Sequence, residues 1–157
     1  MKLLEATRAW TDRASRGLAW LPPLLARVVL GVTFILTGWG KLHDLEQVTR
    51  FFESLGIPAP GVQAPFVAGV EFFGGILVLA GLGTRLAAVL LSAVMGVAIA
   101  TAIWPKQSFT EVLGSIEASY LAGFLYLMIG GGGAVSLDRL AARFVPALRA
   151  TDRPRAT

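Results

Sequence analysis

The chain contains no cysteine and a single histidine, His43, and only 15% of its residues are charged. Without cysteine there are no disulfide staples, no Cys-x-x-Cys redox centre, no thiolate zinc site and no iron–sulfur ligation. One imidazole cannot build a metal cage or a two-histidine haem site, so no metal or haem is expected from this chain alone. Any redox role must borrow an organic cofactor or a partner subunit. The shortage of charge is equally informative, because soluble domains carry roughly 25%. Hydrophobic residues make up 55% of the chain, and the mean hydropathy is positive at +0.67. The formal charge of +4 does not point to nucleic acid, since all the basic residues but Arg27 sit outside the apolar runs, most of them at the two ends.

What the chain does have is four apolar runs, at about 22–40, 64–82, 86–104 and 115–131. Nineteen residues rising ~1.5 Å each give about 28 Å, enough for the hydrocarbon core of a bilayer. The fourth run is the weakest, because Glu117 and the glycine tract 130–133 trim it. These runs predict an all-α, integral membrane four-helix bundle with short amphipathic interfacial helices. The bundle domain spans 18–134 and is flanked by an N-terminal segment, 1–17, and a basic tail, 135–157.

The flanks and loops read as follows. Residues 1–17 scatter Leu3, Leu4, Ala6 and Trp10 among Lys2, Arg8, Arg13 and Arg16, which fits an interfacial helix on an anionic surface or a frayed basic terminus. No cleavable signal peptide is expected, since the first apolar segment begins late, runs long and lacks a small-x-small exit. Between the first two runs, 44–55 predicts an outer amphipathic helix. Asp44 and Gln47 form its capping box, Leu45, Val48, Phe51, Phe52 and Leu55 its apolar side, and Gly56 and Pro58 its stop. It lies flat on the membrane or folds as a lid over the bundle mouth. Gly83, Thr84 and Arg85 leave room only for a tight turn between the second and third runs. In the tail, Ser136 can cap a short helix over 137–144 that Pro146 ends, and the chain from Arg149 onward reads as disordered.

With four spans both termini share a side. That side carries Lys2, Arg8, Arg13, Arg16, Arg27, Arg85, Arg139, Arg143, Arg149, Arg153 and Arg155, against Lys41, Arg50 and Lys106 opposite. The positive-inside rule then makes both termini cytoplasmic in a multi-pass protein of the bacterial inner membrane, with Trp39 and Trp104 at the outer interface and Trp20 at the inner one.

Chemistry enters through one stripe. Arg27, Gly31, Phe34, Gly38 and Lys41 are spaced four, three, four and three apart, so a helix holds them on one face. Charge facing lipid costs at least ~2.5 kcal/mol, so this face turns inward. In the second span Glu71 shares a face with Gly74, Gly75 and Val78, and lies roughly 10 Å below the outer boundary by helix rise. A carboxylate there must find a cation or donor, or stay protonated. Lys41 is the best candidate partner. With His43, Glu117 and Tyr120 the pair forms a candidate ligand-binding cluster at the outer end. Three chemistries fit it: an ion pair that only locks helices, a site holding the carbonyl oxygens of a quinone with Glu71 or His43 moving protons, and a coupling carboxylate in a proton-driven transporter. Arg27 and Arg85 read as structural, Arg27 by snorkelling to lipid phosphates or by binding a backbone carbonyl, and Arg85 by setting topology. Ala88, Ser92, Gly96 and Ala100 recur every fourth residue on the third run, a close-packing face within the bundle or in a homodimer.

These segments, in this order, resemble the DoxX family of small four-helix bacterial membrane proteins. The resemblance rests on Arg27-Val-Val-Leu-Gly31, Gly38-Trp-Gly-Lys41-Leu42, Phe52-Glu-Ser-Leu-Gly-Ile-Pro58, Val70-Glu71-Phe-Phe-Gly74-Gly75 and Gly81-Leu-Gly-Thr84-Arg85, and covers about 24–131. It implies the membrane bundle and its location. Arg27, Lys41, Glu71 and Arg85 match the family's recurrent polar positions, without established roles. The family takes its name from a subunit associated with a quinone-reducing thiosulfate oxidase. Its members are often labelled oxidoreductases, some resemble partners in complexes that resist oxidative or thiol stress, and the fold also resembles eukaryotic membrane chaperones. The leading expectation is therefore a subunit of a membrane redox complex that binds a quinone-like molecule at the outer end of the bundle. Glu71 would handle protons, and any enzymatic activity would be that of an oxidoreductase subunit acting with partners. The alternatives are a non-enzymatic scaffold or chaperone subunit and a small proton-coupled transporter. The partners expected are the lipid bilayer, redox-complex subunits or a second copy of the chain, with no nucleic acid.

Overall fold

The computed structural model describes residues 17–144, all of whose regular elements are helical. The reading of 1–17 as an interfacial helix, and that of the tail beyond 144, lie outside the described residues. Seven helices follow one another: α1 (Leu21–His43), α2 (Leu45–Ser54), α3 (Pro60–Ala80), α4 (Thr84–Ala98), α5 (Phe109–Leu113), α6 (Ile116–Gly130) and α7 (Leu137–Phe144). The four longer apolar helices close a ring, with α1 against α3, α3 against α4, α4 against α6 and α6 against α1. Pro22 and Pro23 occupy the first turn of α1, where a missing N–H costs nothing.

Three helices are long and apolar enough to cross a membrane: Leu21–His43, Pro60–Ala80 and Thr84–Ile103. Only 33%, 33% and 28% of their most apolar windows are buried within the protein, so most of that surface faces outward, as lipid-facing helices require. Val29, Leu36, Phe73, Leu86 and Ile129 are among the exposed side chains. The fourth apolar run is shorter than its neighbours. α6 has 15 residues, about 22 Å at the α-helical rise, because Gly131 at φ +74° ends it.

Helix contacts follow the small residues of α1 and α3. A Cβ on Gly38 would lie 2.7 Å from Phe72 Cα, and one on Gly75 would lie 2.7 Å from the Ile35 backbone nitrogen. Only glycine permits that approach. On α4 the inward face runs through Thr84, Ala87, Ala88, Leu91 and Met95. Of the small residues Ala88, Ser92, Gly96 and Ala100, only Ala88 is fully buried; Ala100 is exposed, and a Cβ on Gly96 would meet nothing within 4 Å. The bulkier Leu91 and Met95 fill the core beside Phe34, Val78, Phe124 and Leu127. α4 then runs into a π-helical turn, Ile99–Ile103, that its sequence does not announce. α5 is a further element absent from the sequence reading, capped by reciprocal bonds between Ser108 and Glu111.

α7 is fastened to the bundle rather than hanging from it. Asp138 accepts from the backbone N–H of Gly83 (2.7 Å) and of Thr84 (3.0 Å), while its own N–H donates to the Gly81 carbonyl (2.8 Å). Ser136 accepts from the Arg139 N–H and caps α7.

Candidate functional site

The stripe on α1 faces the interior. Arg27, Gly31, Phe34 and Gly38 are buried, and Lys41 is half-buried at the end of the face. Its two charges serve opposite ends of the bundle. Arg27, 3% exposed, binds backbone carbonyls, one of the two roles expected of it. Its Nε donates to Val78 (2.9 Å), Nη2 to Leu79 (2.7 Å), and Nη1 to Gly132 (3.0 Å) and Val135. That satisfies the guanidinium and ties α1 to the end of α3 and to the loop before α7.

At the other end Lys41 Nζ donates to Glu71 Oε1 at 2.6 Å. The Glu71 side chain is only 2% exposed and that of Lys41 34%. α3 begins at Pro60, four residues before the apolar run, so Glu71 lies about 16 Å from the start of the helix by its rise. Its second oxygen, Oε2, is buried and has no hydrogen-bond partner among the described residues.

The pair borders a cavity of about 450 Å³, within the range of small-molecule sites. Phe34 and Thr37 contribute from α1, Phe51 and Phe52 from α2, Gln63, Val67 and Val70 from α3, and Glu117 and Tyr120 from α6. Leu90, Val94, Val97 and the π-turn residues Thr101 and Ile103 close the α4 side. Phe66 of α3 and Val97 of α4, both on this wall, are exposed, so the cavity reaches the outward face between those helices. The C-cap of α2, Leu55, adds to the lining beside Phe51 and Phe52, with Asp44 Oδ1 accepting from the Gln47 N–H (3.1 Å) and Phe52 buried. The Tyr120 ring packs edge-on to Phe34 at 5.4 Å.

Of the predicted cluster, Lys41, Glu71, Glu117 and Tyr120 line this space and His43 does not. His43 is exposed on the rim, its Nδ1 donating to the Trp39 carbonyl (2.8 Å) and its ring 4.2 Å from that indole. Arg85 is exposed at the opposite end, in the first turn of α4. Thr37, Gln63 and Thr101 are polar lining residues that the sequence reading missed. Thr37 is one turn before Lys41 and Gln63 two turns before Glu71, so helical spacing from the charged pair would have found both. Among the described residues no group of three or more His, Cys, Asp or Glu could hold a metal ion.

A family model described as DoxX matches residues 23–104. The chain is 35% identical over 121 residues to "Inner membrane protein YqjF" of Escherichia coli, covering 74% of this chain and 89% of the relative. It is 34% identical over 117 residues to "Putative oxidoreductase CatD" of Bacillus subtilis (73% and 83%), and 31% identical over 127 residues to "Inner membrane protein YphA" of Escherichia coli (74% and 87%). No solved structure matches. The chain belongs to the DoxX family.

Proposed function

We propose that this DoxX-family membrane protein binds a quinone-class ring compound in the cavity beside Lys41 and Glu71, as a subunit of a membrane redox complex. The observation that carries the reading is the cavity itself: a mostly apolar space, reaching the face between α3 and α4, with one buried ion pair at its edge. That combination suits a flat, greasy ring bearing one or two oxygens, delivered from the bilayer. The π-helical turn in its wall supports the reading, since such turns recur at functional sites. So does the name of the relative CatD. Bound there, a quinone would supply two-electron redox chemistry. The chain's part is to hold the ring against Phe34 and Val70, donate a hydrogen bond from Lys41 Nζ, and offer Glu71 as the group that holds or moves a proton. The excess of basic residues on the side of the two ends supports a cytoplasmic location for both termini and an outer location for Lys41.

The test is binding of decyl-ubiquinone to the purified protein in nanodiscs, read by tryptophan fluorescence. Affinity falls at least about tenfold in Lys41→Ala, the usual cost of losing a charged hydrogen-bond partner, and shifts in Glu71→Gln. Unchanged affinity in Glu71→Gln removes Glu71 from the site. One observation favours a second reading, a non-enzymatic scaffold: the Lys41–Glu71 bridge spans α1 and α3 and by itself fastens them. In that case both variants lose stability in detergent with no ligand phenotype, and the swap Lys41→Glu with Glu71→Lys restores the fold.

A further inference from the structure

Glu71 Oε2 is the atom of the cavity region whose chemistry is unfinished. The residue is 1% exposed, Oε1 takes the Lys41 bond at 2.6 Å, and Oε2 finds no donor among the described residues. Paired with an ammonium, this carboxylate only accepts hydrogen bonds. A buried acceptor without a donor is costly, and the cost is larger for a charged group. Lys41 Nζ carries three N–H donors, of which the Glu71 bond uses one. The pair thus offers an unmet acceptor next to spare donors, a combination that a hydroxyl satisfies and a carbonyl does not. A carbonyl oxygen brought to Lys41 sets a second acceptor against Oε2, whereas a hydroxyl can donate to Oε2 and accept from Nζ through the same oxygen.

We infer that the cavity selects the hydroxylated form of its ring compound, a phenol, catechol or hydroquinone, over the carbonyl-only or ether form, with the ring hydroxyl donating to Glu71 Oε2. This rests on the reading of the cavity as a ring-compound site, and adds which member of the redox pair that site prefers. The ring lies among Phe34, Val70 and Met95, which line the cavity beside the pair. No electron transfer is involved in the selection itself.

A redox-inert pair of probes isolates the hydroxyl: 4-heptylphenol and its methyl ether, titrated by tryptophan fluorescence into the full chain in phosphatidylcholine nanodiscs, with protein-free nanodiscs subtracted for partitioning. The phenol binds at least about tenfold more tightly than the ether, as one hydrogen bond to a buried charge requires. In Glu71→Gln, whose amide can also donate, the ratio falls towards one. Equal binding of the two probes to the unaltered protein overturns the inference and leaves the ring-compound reading standing. Binding of neither, or binding unaffected by filling the cavity with Val94→Trp, removes that reading and the inference with it. The wild-type ratio decides the matter even if Glu71→Gln fails to fold.

Discussion

Replacing Arg27 tests the organisation of the bundle most severely. Its guanidinium makes four bonds to main-chain carbonyls on two separate segments, Val78 and Leu79 at the end of α3, and Gly132 and Val135 before α7. Hydrogen bonds measured inside membrane bundles average about 0.6 kcal/mol, and buried bonds to charged groups in proteins reach about 1.5 kcal/mol or more. Four of them give about 2.5–6 kcal/mol for Arg27→Met, which keeps the length of the stem and removes every donor. Arg27→Lys retains the charge but presents its donors from one point, and cannot span carbonyls that a planar fork reaches in three directions; a loss of about 1–3 kcal/mol follows if half the bonds survive. The assay is unfolding of the protein in dodecylmaltoside by added SDS, followed by tryptophan fluorescence. Hydrogen exchange across 131–144 supplies a second readout, since those amides should open before the rest when the clamp is gone. An Arg27→Met protein within about 0.5 kcal/mol of the original, with unchanged exchange in that segment, would show that the four bonds contribute no net stability and would refute the argument.

Two further outcomes follow from the same geometry. Gly38→Ala places a Cβ 2.7 Å from Phe72 Cα, a backbone contact that cannot rotate away. Overpacking of this kind costs about 1–3 kcal/mol, read as a fall in melting temperature of about 2–4 °C per kcal/mol; Gly61→Ala, with nothing within 4 Å, serves as the control and leaves it unchanged. The α5 cap depends on pH: bonds from the Ser108 backbone and hydroxyl hold the Glu111 carboxyl below the usual carboxylate range. A group whose folded-state pKa is depressed supports the fold above its unfolded value and loses that support as the pH falls through the folded one. The amides of 109–113 should therefore exchange faster on acidification, and an unchanged rate in Ser108→Ala at neutral pH would remove the cap from the account.

Much of this architecture was readable from spacing alone, and the exceptions have physical causes. The Arg27–Lys41 stripe, the tight turn at 83–85 and the Asp44 cap are local patterns, set by helix period and by which groups a short side chain can reach. Glu71 and its cation were legible because a charge in an apolar run restricts its own partners. The fastening of α7 was not, because Asp138 binds Gly83 and Thr84 more than fifty residues away and nothing local marks it. The π-helical turn was hidden for a related reason: Ile-Ala-Thr-Ala-Ile reads as ordinary helix, and only the packing around it selects the wider turn. His43 neighbours Lys41 in sequence, yet two residues along a helix turn a side chain by about 200°, and the imidazole ends up on Trp39. The α5 cap is a different case, since Ser108-x-x-Glu111 is a local capping signature that the sequence does carry.

The glycines and the charges of α1 are parts of one device. Lys41 reaches Glu71 with a 2.6 Å bond only because α1 and α3 run close together, and they do so where Gly38 meets Phe72 and Gly75 meets Ile35. Gly38 is one turn before Lys41, and Gly75 one turn after Glu71, so backbone separation at the glycines sets the reach required of the ammonium. A methyl group at Gly38 should therefore do more than lower stability: by pushing α1 outward it lengthens or breaks the bridge beside the cavity. If the cavity is a binding site, Gly38→Ala should weaken ligand binding by a larger factor than an equally destabilising substitution at the Arg27 end, such as Arg27→Lys. Equal effects from the two would mean that binding follows overall stability and that the spacing of α1 and α3 has no separate role.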